Sequence, residues 1–330
     1  MADVTIWEWV AFGTVVFVFL GVDLFAHRGD RPENRRQATI WAGLSIGLGL
    51  LFGGHVWMKF GQRAAEEYLA AYLLEEALSL DNLFVFLIIF RMMQIPKSHQ
   101  RVALTWGILG ALVFRAIFIF LGVEILNRWA WVELIFAVLL FYGAWHAVRE
   151  NPADAAEDNK LVAWLMKHMR VSRPQEKPHF IVREDDLLKA TPLLVAVIGL
   201  EASDVMFAID SVPAAFSVTR NEFLIYSSNV FAILGLRSLY IVLAHTIAEL
   251  RYLHYGLAAV LAFAGAKMVA GWAGYHLPPL WSVAIILMTI GTAVVCSLLA
   301  REQALPGAAS DSEASDAPEA RPIPHETSNP

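Results

Sequence analysis

Residues Leu200–Pro213 read Leu-Glu-Ala-Ser-Asp-Val-Met-Phe-Ala-Ile-Asp-Ser-Val-Pro, a stretch that is apolar enough for a lipid bilayer except for three carboxylates. These belong to Glu201, Asp204 and Asp210, and a second stretch of this kind, Glu75–Phe86, contributes Glu75 and Asp81 to a set of five acids. One carboxylate at the centre of a bilayer costs about 2.5–3.5 kcal/mol, so five cost on the order of 10 kcal/mol, comparable with the stability of a whole domain. Ionisable groups inside membrane spans generally serve function, so the two stretches predict an ion or proton site.

The composition is typical of a membrane protein. Of the 330 residues, 57% are hydrophobic and only 17% are charged, far from the averages of soluble domains. Most of the formal net charge of −6 belongs to the segment from Glu302 onward, in which six acids face one arginine. The remainder is nearly neutral and gives no sign of nucleic-acid binding. The single cysteine, Cys296, excludes an internal disulfide and a multi-cysteine metal site.

Nine apolar segments are long enough to span a bilayer, for which about 20 residues are needed. The third and the sixth contain the carboxylates and qualify only if these are tolerated. The predicted spans are Trp7–Phe25, Ile40–Met58, Tyr68–Phe90, Val102–Val123, Trp131–Val148, Thr191–Phe216, Phe223–His245, Tyr255–Trp272 and Leu280–Ala300.

The distribution of Lys and Arg predicts the orientation of the spans. Both residue types are concentrated in alternate connections, among them residues 149–190. Because positively charged loops stay in the cytoplasm, we expect an all-α polytopic membrane protein with its N-terminus outside and its C-terminus inside. Residues 1–303 then form the transmembrane domain, which includes the cytoplasmic loop 149–190 with a predicted surface helix at Ala163–Arg170. Residues 304–330 are predicted to be a disordered acidic tail.

The sequence matches itself without a gap over 49 residues from Leu78 onward at a shift of 122 positions. Asn82 then corresponds to Asp204, and Arg115 corresponds to Arg237. The shift places the third span on the sixth and the fourth on the seventh. Because successive spans cross the membrane in opposite directions, a displacement by three spans gives the two copies opposite orientations. This predicts an inverted repeat, as in many secondary transporters, whose sites lie near the midplane where the repeats meet. Chance similarity between apolar helices is the alternative, because identities are sparse.

Helical spacing places polar side chains of each stretch on one face. Glu201 and Asp204 are three residues apart and face the same way, and the first stretch repeats this spacing. Asp210 points elsewhere on a regular helix. Pro213 lacks a backbone donor and predicts a broken helix at the midplane, with freed carbonyls beside the carboxylates.

The predicted site offers oxygen ligands only, without a nearby histidine or cysteine. Such ligands suit magnesium, calcium and manganese, whereas zinc and copper prefer nitrogen or sulfur. Asn229 is a further candidate ligand, with a helix–helix hydrogen bond as the alternative. A thioether from Met206 would favour manganese, but its spacing from Asp204 turns it towards lipid or core.

Structural ion pairs with Arg115 and Arg237 are the alternative to a functional site, and we expect such supporting pairs for these arginines. Two guanidiniums do not neutralise five acids, however, so a functional site is still needed. Four acids near span ends are expected to reach the membrane surface; they are Asp23, Glu124, Glu133 and Glu249. An enzyme is not expected, because the sequence has no nucleotide-binding loop and no nucleophile with a paired base.

Three segments resemble the hallmark segments of the TerC family, integral membrane proteins named for tellurium resistance within the lysine-exporter-like superfamily. These segments are Glu75–Phe86, Glu201–Pro213 and Ser228–Tyr240. The resemblance implies a multi-pass protein of the bacterial inner membrane, related to proteins linked to manganese export and to loading manganese onto exported proteins. The residues that it marks for metal binding are Glu75, Asp81, Asn82, Glu201, Asp204, Asp210 and Asn229.

The sequence therefore predicts a divalent-cation exporter, with manganese as the expected cargo, which works by alternating access with the five acids as ligands. Protons are candidates for exchange, since carboxylates that repel one another take up a proton when the metal leaves. No permanently bound cofactor is expected, and the expected partners are membrane lipids, the cation, and secretion or stress-response proteins. The alternative is a non-transporting scaffold in tellurium resistance or in metalation of exported proteins, for which loop 149–190 rather than the acids is essential.

Overall fold

The computed structural model describes residues 4–26, 35–149, 171–172, 178–184, 187–244, 252–275 and 277–304. Within these residues the chain forms nine long α-helices and one antiparallel hairpin. The first five helices are α1 (Ile6–Ala26), α2 (Arg35–Phe60), α3 (Gln62–Met92), α4 (Lys97–Arg128) and α5 (Val132–Arg149). The hairpin pairs β1 (Ile181–Glu184) with β2 (Leu187–Ala190), and α6 (Pro192–Val218), α7 (Glu222–Ala244), α8 (Leu253–Trp272) and α9 (Pro279–Ala304) follow.

Each predicted span coincides with one of these helices, apart from a few residues at the ends. Eight of the helices are long and apolar enough to cross a membrane. Among the described helices the exception is α3, whose 31 residues include the acids Glu66, Glu67, Glu75, Glu76 and Asp81. The chain is thus an all-α polytopic membrane protein, whereas nine crossings and their orientation stay predictions.

The connection between α5 and α6 contains the hairpin, which the sequence did not predict. The hairpin leads directly into α6, where the Thr191 hydroxyl accepts a hydrogen bond from the backbone N–H of Leu194 at 3.3 Å. This residue caps the helix, and Pro192 follows in the first turn. The predicted surface helix Ala163–Arg170 and the acidic tail from residue 305 lie outside the described residues.

The predicted break at Pro213 is wrong, because α6 continues as one helix from Pro192 to Val218. A proline inside a helix removes one backbone hydrogen bond and costs about 3 kcal/mol or more. The turn around Pro213 is buried, with Val212, Ala214 and Ala215 in the core. Packing of these side chains against neighbouring helices offsets that cost and keeps the helix continuous.

Four helices form the centre of the bundle. Helix α3 packs on α6 and α7, and α4 packs on the same two helices. Helix α2 packs on α3 and α7, and α1 contacts α7. Helices α5 and α8 pack on each other and on α6, and α9 packs on α3 and α8.

Each of the four central helices contributes side chains to two clusters of buried apolar residues. The first apolar cluster includes Leu74 and Leu78 of α3, Ile119 and Val123 of α4, Ala208 and Val212 of α6, and Ile225 of α7. The second apolar cluster includes Leu83 and Phe86 of α3, Ala103 and Ala111 of α4, Leu193 and Leu200 of α6, and Ile233 and Leu236 of α7. Helices α3 and α7 therefore run from the first cluster to the second, while α4 and α6 run the opposite way. Opposite directions of α3 and α6, and of α4 and α7, are what an inverted repeat predicts.

Candidate functional site

Buried polar side chains lie within about a turn of the point where each central helix passes from one apolar cluster to the other. Each of them is at most 2% exposed. We refer to this set as the polar layer, and it consists of Glu75, Ser79, Asn82, Arg115, Ser203, Asp204, Ser228 and Asn229. The layer combines two carboxylates, one guanidinium, two amides and three hydroxyls in an apolar interior.

Arg115 of α4 joins the two carboxylates of the polar layer. Its Nη1 contacts Oε1 of Glu75 on α3, and its Nη2 lies 3.0 Å from Oδ1 of Asp204 on α6. Its Nε lies 3.4 Å from the other carboxylate oxygen of Asp204, and Nη1 lies 3.5 Å from the hydroxyl of Ser211. The prediction that this arginine makes an ion pair is therefore confirmed.

Asn82 and Asp204, which are equivalent positions of the proposed repeat, lie side by side. The Asn82 amide nitrogen is 3.5 Å from Oδ1 of Asp204. With the amide group turned over, the Asn82 oxygen accepts a hydrogen bond from Nη2 of Arg115 at 3.3 Å, and its nitrogen donates to the carbonyl of Leu78 at 3.2 Å. In an inverted repeat, equivalent residues meet only near the axis that relates the two copies, so this contact marks such an axis.

Glu201 lies next to the polar layer, at the seam between α6 and α4. Its carboxylate is close enough to Asp204 for electrostatic repulsion. The carboxylate lies directly against the backbone of Gly110, in space that a Cβ atom would occupy. Its Oε2 atom is buried and has no hydrogen-bond partner among the described residues.

Asp210 is separated from this group, although the sequence placed all five acids in one site. It lies six residues beyond Asp204, about 9 Å along the helix axis. Its carboxylate faces Gly143 of α5, where a Cβ atom would lie 3.0 Å away. The imidazole of His146 interacts with it electrostatically, so the expectation that no histidine is close to the acids is wrong at this position. The side chain of Asp81 lies outside the described part of the structure.

Two buried polar side chains of the layer lack partners. Neither amide atom of Asn229, nor the hydroxyl of Ser79, has a hydrogen-bond partner among the described residues. Buried polar groups are nearly always satisfied, so each exception calls for an explanation such as an absent ligand or water. With the side chains that the structure describes, Asn229 does not form the helix–helix hydrogen bond considered for it.

Arg237 also makes an ion pair, but its partner is not one of the five acids. Its Nη2 lies 2.6 Å from Oδ1 of Asp23 on α1, and both side chains are buried. The expectation that Asp23 reaches the membrane surface is therefore wrong, because α1 packs on α7 at the level of this arginine. Glu133 is likewise buried and contacts Arg220, whereas Glu124 is exposed. Residue 249 lies outside the described residues.

The model of the integral membrane protein TerC family matches residues 60–305 of this sequence. The chain belongs to the TerC family. An uncharacterised membrane protein of Myxococcus xanthus is 39% identical over 293 residues, which cover 88% of this chain and 92% of the relative. The protein Alx of Escherichia coli strain K12, whose name proposes a membrane-bound redox modulator, is 39% identical over 84% of this chain and 90% of its own length.

A relative from a plant shows how widely the similarity extends. The chloroplastic thylakoid membrane protein TERC of Arabidopsis thaliana is 40% identical over 82% of this chain and 70% of its own length. No solved structure matches the chain. The part that matches the TerC family contains the whole polar layer, whereas α1, with Asp23, precedes it.

Two other acids of α3 in this TerC-family chain have partners that the sequence did not predict. Glu67 is 4% exposed and accepts hydrogen bonds from Arg63 at 3.2 Å and from the Thr219 hydroxyl at 2.6 Å. Glu76 accepts a hydrogen bond from the Tyr72 hydroxyl at 2.7 Å. The i, i+4 spacing of Arg63 and Glu67 was visible in the sequence, but the partnership with Thr219, 152 positions away, was not.

The polar layer of this TerC-family chain is suited to binding a cation. In the described structure the cation at this place is the guanidinium of Arg115. Among the described side chains, no three from His, Cys, Asp and Glu gather as a metal group. Glu75, Asn82 and Asp204 do come together, and Glu201 is adjacent. Met206 is 60% exposed and points away, as expected.

Proposed function

We propose that this TerC-family protein exports a divalent metal cation across the bacterial inner membrane, with manganese as its cargo. The observation that carries the proposal is the convergence of Glu75 and Asp204, from two antiparallel helices, in a fully buried layer of a membrane bundle. Isolated carboxylates are expelled from such a layer by their desolvation cost, so the convergence of two of them from different helices supports a cation site.

The choice of cargo depends on ligand chemistry and on the family resemblance. The polar layer offers carboxylate, amide and hydroxyl oxygens, and such ligands suit hard divalent ions rather than zinc or copper. Among these ions we propose manganese as the cargo, rather than magnesium or calcium, because the resemblance to the TerC family implies it. Protons are proposed to exchange for the metal, and neither an enzymatic activity nor a permanent cofactor is proposed.

The antiparallel halves support alternating access as the mechanism. The polar layer is closed on one side by the first apolar cluster and on the other by the second. Transport then requires each cluster to open in turn, with the carboxylates accessible from one side at a time. Membrane lipids and the cation are the proposed partners, together with secretion or stress-response proteins on the cytoplasmic loop.

The test is uptake of manganese into liposomes that contain the purified protein. We expect Glu75→Gln and Asp204→Asn each to lower the flux by about tenfold or more, the scale on which loss of a metal-site group acts. Glu124→Gln, which changes an exposed acid of α4, is the matched control and should leave the flux unchanged. Flux that survives both of these substitutions contradicts the proposal and favours the scaffold function.

A further inference from the structure

Arg115 is in the position that a bound cation would need. It is 1% exposed and lies between a carboxylate of α3 and a carboxylate of α6, with direct contacts to both. A divalent ion that binds Glu75 and Asp204 together has to lie between the same oxygens. Guanidinium and metal therefore exclude each other at this point.

The neighbouring polar groups are not satisfied by the arginine. On α3, Ser79 lies four residues after Glu75 and three before Asn82, so all three share one helix face. Its buried hydroxyl has no partner among the described residues, and neither has Oε2 of Glu201 beside Asp204. Arg115 thus contacts both carboxylates but balances only one of their two negative charges, and it leaves further oxygen ligands unused next to them, as expected if another cation also binds here.

We propose that Arg115 is an internal competing cation, which holds Glu75 and Asp204 when no cargo is bound and must swing away before a divalent ion binds. This inference rests on the proposed export function and adds which group holds the two carboxylates when no metal is bound. Because the arginine remains attached to α4, its displacement couples cargo binding to a movement of α4 against α3 and α6. The return of the guanidinium after release keeps two carboxylates from being left as bare charges in the bundle.

The proposed repeat provides a control. Arg237 is the equivalent of Arg115, and Asn82 is the equivalent of Asp204. The same shift of 122 positions takes Glu75, which lies just before the matched segment, to Val197. Arg237 instead pairs with Asp23 of α1. It is a buried, ion-paired arginine of the same bundle that does not lie between the two carboxylates, so substituting it should not change competition for the metal.

The experiment is a calorimetric titration of the purified full chain in detergent with manganese chloride. If the displaced arrangement is populated at about 1–10%, as minor states commonly are, removing the guanidinium tightens the Kd by about 10- to 100-fold. We expect this for Arg115→Gln. Arg115→Lys, whose ammonium does not form the same planar fork, should give an intermediate Kd. Arg237→Gln should bind manganese as the wild type does.

Liposome flux provides a second readout. Faster binding without the returning guanidinium should lower the KM of Arg115→Gln, while hindered release lowers its maximal rate. If the role of Arg115 is purely structural, the affinity of folded Arg115→Gln protein for manganese is unchanged or weaker. Either of these results overturns the inference. If Arg115→Gln does not fold, judged by size-exclusion chromatography, Arg115→Lys decides, because an affinity equal to or weaker than wild type again overturns it.

Failure of this inference is distinguishable from failure of the proposed function. If wild-type protein neither binds nor transports manganese, magnesium or calcium, the export function itself is wrong. If wild type binds and transports manganese but the affinities of the Arg115 variants do not tighten, only the role of Arg115 as a competing cation is wrong.

Discussion

At the scale of single residues, burial decides which charges need partners. Arg115 and Arg237 are both at most 2% exposed, and each lies against carboxylates from other helices. A buried charge that loses its partner is far more costly than a surface charge, because the low-dielectric interior does not solvate it. Partners of this kind are therefore sensitive positions even where they take no part in transport.

The pair Asp23–Arg237 leads to a stability prediction. Asp23→Asn removes the carboxylate that Arg237 contacts and should destabilise the protein by about 3–5 kcal/mol, as expected when a buried ion pair loses one member. The measurement is thermal unfolding in detergent, with Glu124→Gln as the exposed control. The double substitution Asp23→Leu with Arg237→Leu should recover most of the loss, and equal melting temperatures for Asp23→Asn and Glu124→Gln would show that the pair contributes nothing.

At the scale of helices, glycines in α4 and α5 let α6 approach closely. Glu201 lies against Gly110, Asp210 against Gly143, and the ring of Phe216 against Gly122. Side chains of α6 thus fill the space that Cβ atoms of its neighbours would occupy. These contacts fix where the acids of α6 lie relative to the other helices.

Gly122→Ala should be destabilising for this reason. The new Cβ atom would lie 2.6 Å from the Phe216 ring, and a rigid aromatic ring in the core does not move away easily. Overpacking of this kind typically costs about 1–3 kcal/mol. Gly47→Ala in α2 is the matched control, since a Cβ atom there meets nothing within 4 Å. A melting temperature of Gly122→Ala that equals or exceeds that of Gly47→Ala contradicts the proposed close packing.

At the scale of the whole molecule, the arrangement is defined by two apolar clusters with a polar layer between them. The four central helices cross this layer in opposite directions in pairs. The charged loops predict the orientation of the bundle in the membrane.

Cysteine labelling tests this orientation. Cys296→Ser removes the only cysteine of the chain, after which Ser98→Cys and Asn127→Cys place single thiols at exposed positions near the two ends of α4. With the N-terminus outside, a membrane-impermeant thiol reagent should label residue 127 in intact cells and residue 98 only after lysis. The reverse pattern would mean that the N-terminus is inside, and labelling of both or neither in intact cells would mean that α4 does not cross the membrane.

The sequence by itself determined the helices and the polar stretches. The lengths of apolar segments fixed the nine helices to within a few residues, since a bilayer requires runs of similar length. Helical spacing likewise predicted that Glu201 and Asp204 share one helix face, and that Ser79 and Asn82 share a face with Glu75. Both signals are local, and local patterns are readable without knowledge of the packing.

Only the tertiary structure decided which charges meet. The partnership of Arg115 with Glu75 and Asp204, that of Asp23 with Arg237, and the separation of Asp210 from the other acids depend on how the helices pack. The same is true of the continuity of α6 through Pro213, since buried neighbours outweigh the local cost of the proline. Such contacts join residues up to 214 positions apart, and no local pattern encodes which of several charged side chains a buried arginine will contact.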